Sequence, residues 1–589
     1  MSKNQKLELT WIGKDVQPKL EPRILIEDPD KSYGDRNTDN MLIFGDNLLA
    51  LKALEQEFVG SIKCVYIDPP FNTGEAFEHY DDGIEHSVWL DLMAKRIQFI
   101  HKLLAPDGTL FIHIDDNELA YLIVLCDEIF GRDNRINVIT FKQSSASGPK
   151  AINPGLVTTS NYIVFYAKDR RNWKPNKIYQ AIPRDSRYSS FIENYDENYT
   201  RWKLCTLREA FSKHHKLSWN EVRTKFAEKL EDELLKFVIN FKDRVVQPAL
   251  VRDKDINGDA RGVLQFSREN INVVHCSERK DKDNYYFLNG KQLLFYKNKV
   301  QRVGGVETSS LSASNIWDDI LSNNVHQEGG VSLPNGKKPE ALLERIFSFV
   351  TNPGDLVLDS FGGSGTTAAV AHKMDRKWIT IELGDHCHTH IQPRLQKICE
   401  GTDQGGISKA VNWQGGGGFK YYYMAPSLLK KDHYDHWVIN EEYNPTMVAA
   451  AMAKHESFRY CPDEVYYWKQ GQSSEKDFIF TTTVHLSPEH LVRIHEEMKP
   501  DESLLICCKS HFEAAGDRYD NITVKKIPSM LLGKCEFDRD DYSLNIVDMP
   551  RNPDDPEFVP SGPPVVEAKE KKTKAQQAGQ MNIFAGTGE

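Results

Sequence analysis

The chain has 589 residues, too many for one hydrophobic core and suited to about three compact units. Hydrophobic residues make up 40% and charged residues 27%, and no apolar run approaches the roughly 20 residues of a bilayer span, so no membrane anchor is expected. The formal net charge of -11 argues against a generally sticky polyanion binder, yet between Arg170 and Arg302 28 Lys and Arg face 18 Asp and Glu, a net of +10 that leaves -21 elsewhere. Such a segment is either a polyanion-facing insertion or a solvated helical surface. The stretch Met1 to Glu8 lacks a secretory pattern and the ten cysteines form no CxxC pair, so a cytoplasmic protein with reduced core thiols is expected.

Residues 1–40 are mixed in character and read as an arm packed on the first domain. Met41–Phe44 reads as a strand, followed by Gly45-Asp46 and a helical pattern through Leu48, Leu51 and Leu54. A second strand, Cys64–Ile67, delivers Asp68. Trp89, Met93, Ile97, Ile100 and Leu104 recur at helical spacing, and Pro106-Asp107-Gly108 turns into strand Thr109–Ile114. Asp115 and Asp116 are placed to cap a helix from Glu118 to Phe130. The alternation predicts a parallel sheet with crossover helices.

After the strand-like Asn161–Tyr166 the pattern lapses. Residues 171–310 read as an inserted domain, with a helix from Trp219 to Phe241 and short strands near 285–296. Alternation resumes with Pro339 in the first turn of a helix through Leu343, Ile346 and Val350, then strand Leu356–Asp359, a glycine-rich turn, a helix and strand Trp378–Ile381. Gly415–Gly418, within a Gly-rich linker over 401–420, reads as a flexible joint. Residues 421–548 form a small C-terminal α/β domain with strands Asp477–Val484 and Ser503–Cys508 around helix Pro488–Met498. The composition from 549 to 589 predicts a disordered tail.

Two motifs carry chemistry. The turn Phe361-Gly362-Gly363-Ser364-Gly365-Thr366-Thr367 follows a buried strand but has neither the Lys of a phosphate-cradling loop nor the spacing of a dinucleotide fingerprint. Such turns sit at the carboxyl end of their strand, where ligands bind an open α/β sheet. Glu382, 23 residues after Asp359, ends the next strand and is placed to accept hydrogen bonds from ribose hydroxyls.

The second motif is Asp68-Pro69-Pro70-Phe71. Prolines cannot donate to a sheet ladder, so they lie beyond the strand end and leave Asp68 and backbone carbonyls facing a cleft. A carboxylate and a carbonyl there can accept both N–H bonds of an adenine amine, freeing its lone pair for attack on a sulfonium methyl. That is positioning and electrostatics more than base catalysis. Phe71 would stack on a base swung out of the duplex.

Leu42–Leu49 leading to Tyr66–Gly74, with the glycine motif far downstream, resembles the β class of DNA adenine-N6 methyltransferases, and more narrowly the Mod subunits of type III restriction-modification systems. The likeness covers roughly residues 1–430 and includes Asn315-Ile316-Trp317 and Trp378–Leu383. It implies an α/β fold: a permuted Rossmann-like, S-adenosylmethionine-dependent core, with a catalytic half over 41–170, a target-recognition domain over 171–310 and a cofactor-binding half over 311–400. By the same resemblance, Asp46, with Asn47 beside it, would approach the cofactor adenine, Lys338 and Pro339 the methionine end, Asp359 and Phe361–Thr367 the methionine and ribose, and Glu382 the ribose. The family commonly has Tyr where this chain has Phe71. Cytosine-N4 enzymes usually carry Ser or Thr at the Asp68 position, so adenine is favoured, and no cysteine follows a proline as cytosine-C5 chemistry would need.

The resemblance also implies double-stranded DNA as substrate, a homodimer and a helicase-nuclease Res partner. A solitary methyltransferase and a DNA-reading subunit with vestigial transfer remain as alternatives. His386-Cys387-His388-Thr389-His390 fits no common zinc spacing, so no metal is expected. Gln580-Met581-Asn582-Ile583-Phe584 resembles the peptide by which bacterial proteins dock on the replication sliding clamp.

Overall fold

The computed structural model describes residues 8–11, 13–71, 82–144, 156–256, 258–280, 282–320, 325–330, 337–540 and 542. Asn72 to Gly74 and the clamp-like Gln580–Phe584 lie outside the described residues.

An 11-stranded sheet organises the chain. Its order is Leu25–Glu27, Gly418–Met424, Met41–Phe44, Lys377–Glu382, Leu356–Asp359, Ile62–Ile67, Leu104–Ile114, Ser160–Ala167, Arg135–Lys142 and Ile316–Trp317, with Tyr33–Gly34 also pairing to Gly418–Met424. The strands from Gly418–Met424 through Leu104–Ile114 run parallel, and Ser160–Ala167 runs against them.

Alternation along each strand explains the two layers. Cys64, Tyr66, Val357 and Trp378 point into a core shared with helices Glu340–Val350, Thr366–Lys373 and Gln392–Cys399. Val65, Ile67, Leu358, Ile379 and Ile381 point into the opposite core, under helices Asn47–Phe58, Asp82–Leu103 and Leu119–Phe130. Each fully buried side chain of this kind contributes about 1.5–3 kcal/mol, so both faces resist polar substitution.

Leu356–Asp359 sits between Lys377–Glu382, which follows it in the chain, and Ile62–Ile67, which precedes it by some 290 residues. The connecting helices leave to opposite faces. This reversal opens a crevice beyond the carboxyl ends of the two central strands, where both sequence motifs begin.

The insertion leaves the sheet after the interior strand Ser160–Ala167 and rejoins it at its far edge, where Ile316 and Trp317 pair with Thr140 and Phe141. It holds a six-stranded antiparallel sheet and a three-stranded one, with helices Leu207–His215, Trp219–Phe226, Leu230–Asn240 and Gly258–Glu269. The single helix expected from Trp219 to Phe241 is broken at Ala227, whose φ of 42° no helix accommodates.

Three other expectations change. Gly415–Gly418 is tied down instead of free: Gly416 N–H donates to Cys399 O at 2.7 Å, Asp35 N–H to Gly417 O at 3.0 Å, and Gly418 begins a strand of the main sheet. Pro339 occupies the N-cap position just before helix Glu340–Val350. Asp115 caps no helix; its carboxylate accepts from the backbone and side-chain amides of Asn117. The C-terminal unit carries a five-stranded sheet in which Asp477–Leu486, Ser503–His511 and Ile522–Lys526 are parallel, with helix Pro488–Glu497 crossing between the first two.

Candidate active site

Parallel register between Leu358 and Val65 sets the glycine turn and the Asp68 segment side by side. The glycine turn is a fixed cradle. Gly362 N–H donates to Ile381 O at 2.9 Å, Gly365 N–H to Gly362 O at 2.7 Å, and Gly363 N–H to Glu382 Oε2 at 2.7 Å. A Cβ on Gly362 would stand 2.7 Å from Thr380 Cγ2, and one on Gly365, whose φ is +73°, would stand 2.8 Å from Ile391 Cγ2. Only glycine lets the turn close on its neighbours.

A buried ionic network supports the turn from beneath. Arg394 Nη1 donates to Ser364 O and Thr366 Oγ1, both at 3.0 Å, while its Nη2 pairs with Glu340 Oε1 at 2.7 Å. Glu340 also holds Lys373 at 2.9 Å, and Lys373 reaches Asp403 at 2.8 Å. All four side chains are buried. Nothing in the local sequence marks these residues as partners, because they come from four separate segments.

Across the crevice, Asp68 Oδ2 accepts from Lys338 Nζ at 2.5 Å. Asp68 Oδ1 is buried and, among the described residues, has no hydrogen-bond partner. Burial pushes this carboxyl above its ordinary range, and Lys338 opposes the rise. Pro70 O accepts from Trp89 Nε1 at 2.8 Å, so the helix Asp82–Leu103 fixes the diproline backbone. The Phe71 ring stacks on His113, with centroids 6.2 Å apart and planes 18° from parallel.

His113 is fully buried, with Nδ1 3.0 Å from Tyr66 Oη and Nε2 3.3 Å from Asn161 Nδ2. Burial holds its pKa well below the usual value, so the ring is neutral. With Asn161 donating to Nε2, Nδ1 carries the proton and donates to Tyr66. Trp89, His113, Tyr66 and Asn161 were given no site role in the sequence reading; a histidine inside the apolar run Thr109–Ile114 was the one available signal.

Asp359 lies beneath the turn and accepts from Phe361 N–H at 2.9 Å. Burial pushes its carboxyl up to about 8, against the Thr367 hydroxyl and Phe361 N–H and with the charges of Asp68 and Glu382 adding to the rise. Glu382 Oε1 accepts from Gly384 N–H at 2.8 Å and lies 3.1 Å from His386 Nε2. Burial works against the charged form of His386, but Glu382 outweighs it and raises the imidazole pKa.

Asp46 differs from expectation. Its Oδ1 caps helix Asn47–Phe58 by accepting from Leu48 and Leu49 N–H at 2.9 and 3.0 Å. Its Oδ2 takes Tyr542 N–H at 3.1 Å and Arg96 Nη2 at 3.5 Å. Both carboxylate oxygens are thus engaged by the protein's own donors. Asn47 donates from Nδ2 to Ser360 O at 2.7 Å beside the glycine turn. Lys338 meets Asp68 and the Phe71 ring, not the glycine turn.

The family model described as DNA methylase matches residues 62–393, more than half of the chain and spanning both motifs. The chain belongs to this N6/N4 DNA methylase family, and its doubly wound sheet is the family's Rossmann-like methyltransferase core. It is 37% identical over 429 residues to the probable type III restriction-modification enzyme HindVI Mod subunit of Haemophilus influenzae, covering 66% of this chain and 54% of that protein. With the EcoP15I Mod subunit of Escherichia coli it shares 25% identity over 510 residues, 73% of this chain and 72% of that one. The E. coli DNA adenine methyltransferase YhdJ is 22% identical over 370 residues, 62% of this chain and 83% of that one. The chain therefore spans about half the length of the HindVI subunit. Among solved structures, the cytosine-N4-specific PvuII DNA methyltransferase aligns with 64% of this chain and 95% of its own at 16% identity, with a TM-score of 0.30.

Proposed function

We propose that this protein transfers a methyl group from S-adenosylmethionine to adenine N6 at a specific site in double-stranded DNA, as the modification subunit of a type III restriction-modification system. The observation that carries the reading is Asp68 Oδ1: a buried acceptor that, among the described residues, nothing satisfies, beside an aromatic ring, next to the glycine cradle. A buried acceptor left open costs about 1–3 kcal/mol, a cost recovered when a donor such as the adenine amine arrives.

The residues present fit the cofactor. Ser360 Oγ and Thr380 Oγ1 are buried without partners among the described residues, and Gly362, Gly363 and Gly365 bare the backbone of the turn. Phe361–Thr367, Asp359 and Glu382 would hold the methionine and ribose, Asn47 would brace the turn through Ser360, and Lys338 would meet the methionine carboxylate. When bound, S-adenosylmethionine supplies an electrophilic sulfonium methyl.

This chain's own groups prepare the nucleophile. Asp68 Oδ1 accepts an amine N–H and draws the nitrogen lone pair out of conjugation with the ring. Phe71, braced by His113, stacks on the extruded base. Trp89 holds the diproline backbone in place through Pro70 O. The neutral state of His113 keeps a second positive charge away from the amine.

The +10 segment between Arg170 and Arg302 supports residues 171–310 as the target-recognition domain, since neutralised phosphates release counterions. A homodimer, a Res partner and a cytoplasmic setting complete this reading. Incubation of purified protein with labelled S-adenosylmethionine and unmodified genomic DNA, followed by nucleoside mass spectrometry, tests the activity. N6-methyladenine formed by wild type and absent with Asp68→Ala is expected; equal product from both would overturn the assigned chemistry.

A further inference from the structure

Lys338 stands where two functions meet. Its ammonium is 2.5 Å from Asp68 Oδ2 and 5.2 Å from the Phe71 ring centroid. A cationic N–H donor against that carboxylate and that ring occupies the surroundings the substrate amine and base require. It also neutralises part of the charge that makes Asp68 an acceptor.

The lysine has a fixed root and a free arm. Pro339 is the N-cap of helix Glu340–Val350, and Glu340 is locked into the buried network with Lys373 and Arg394. The backbone at 338 is therefore anchored, while four methylenes allow the ammonium to swing. Lys338 is only 7% exposed, so its charge needs a counter-charge wherever it rests. Asp68 supplies one now; a bound cofactor would bring another in its methionine carboxylate.

We propose that Lys338 is a clasp, covering Asp68 and Phe71 until the cofactor carboxylate draws it away, so that cofactor binding opens the base pocket. The proposal rests on the methyltransferase reading above. It makes cofactor and DNA binding an ordered, coupled pair, with Asp68 and the cofactor competing for a single ammonium. By linkage, weakening the clasp must tighten cofactor binding.

Calorimetric titration of the full chain, without DNA, separates the possibilities. The probes are S-adenosylhomocysteine, which keeps the carboxylate, and 5′-methylthioadenosine, which lacks it. Asp68→Asn is expected to bind S-adenosylhomocysteine about tenfold tighter than wild type, with 5′-methylthioadenosine unchanged. Lys338→Met is expected to bind S-adenosylhomocysteine about tenfold more weakly, and in the double variant the Asp68→Asn gain disappears. Should Asp68→Asn fail to fold, Lys338→Met alone decides, since undiminished affinity for S-adenosylhomocysteine would overturn the clasp. Equal affinity of wild type and Asp68→Asn for S-adenosylhomocysteine would overturn the clasp and leave the cofactor site standing. Failure of wild type to bind either probe would bring down the methyltransferase reading, and the clasp with it.

Discussion

Arg394 donates to the carbonyl of Ser364 at 3.0 Å from beneath the glycine turn, so the shape of that turn is set by a fully buried cation. The same guanidinium is held by Glu340, which also neutralises Lys373. Glu340→Ala strands buried Arg394 and leaves Lys373 with Asp403 as its one carboxylate partner, and is expected to lower stability by about 3–5 kcal/mol. Denaturant unfolding measures this. A loss under 1 kcal/mol would mean the network is not under load.

His113 backs Phe71, the ring proposed to stack on the base. In His113→Ala the ring loses its stacking partner and Tyr66 loses a hydrogen bond, so methyl transfer is expected to fall about 10- to 100-fold. Binding of S-adenosylhomocysteine should not change. Because burial keeps His113 neutral, the wild-type rate profile should show no inflection from it between pH 6 and 8. Steady-state kinetics across that range would expose a protonated His113 as an acid limb that His113→Ala removes.

Asp359 makes a signed contribution to pH-dependent stability. Its folded pKa is raised from 3.8 to about 8, so its stabilising effect is fully present below 3.8 and is lost as pH rises through about 8. Asp359→Asn cannot lose that contribution. The unfolding free energy of the variant minus that of wild type should climb from pH 4 to pH 8 and then level off. A flat difference across this window would show that Asp359 titrates normally.

Asp46 gives a test that separates a cap from a ligand contact. Removing its carboxylate costs two helix N–H bonds and the charge beside buried Arg96, so Asp46→Ala should be destabilised by about 2 kcal/mol. Thermal unfolding checks the first part, and titration with 5′-methylthioadenosine checks that the nucleoside site survives. Normal stability with lost nucleoside binding would restore the adenine contact expected from the resemblance.

These cases show where the sequence is legible. Apolar runs ending at Asp68, Asp359 and Glu382, with a proline or glycine within three residues of each, encode strand ends and turns locally, so both motifs and their alternating elements can be read without coordinates. What cannot be read are partners brought together by sheet order. Gly418–Met424 pairs with Met41–Phe44 across more than 370 residues, and its glycines suggested a joint because only the packed sheet reveals why small residues are needed there. Trp89 and His113 looked like core residues, which they are; their second roles depend on Pro70 and Phe71 being folded against them. The Lys338–Asp68 pair joins residues 270 positions apart and has no local signature.

The most direct test of the central claim is single-molecule sequencing of unmodified genomic DNA after incubation with the protein and S-adenosylmethionine. The open acceptor on Asp68 predicts N6-methyladenine at one recurrent sequence, on one strand if the protein acts as a type III modification subunit, and none with Asp68→Ala. Methylation at cytosine N4, or an unchanged adenine signal with Asp68→Ala, would contradict the account.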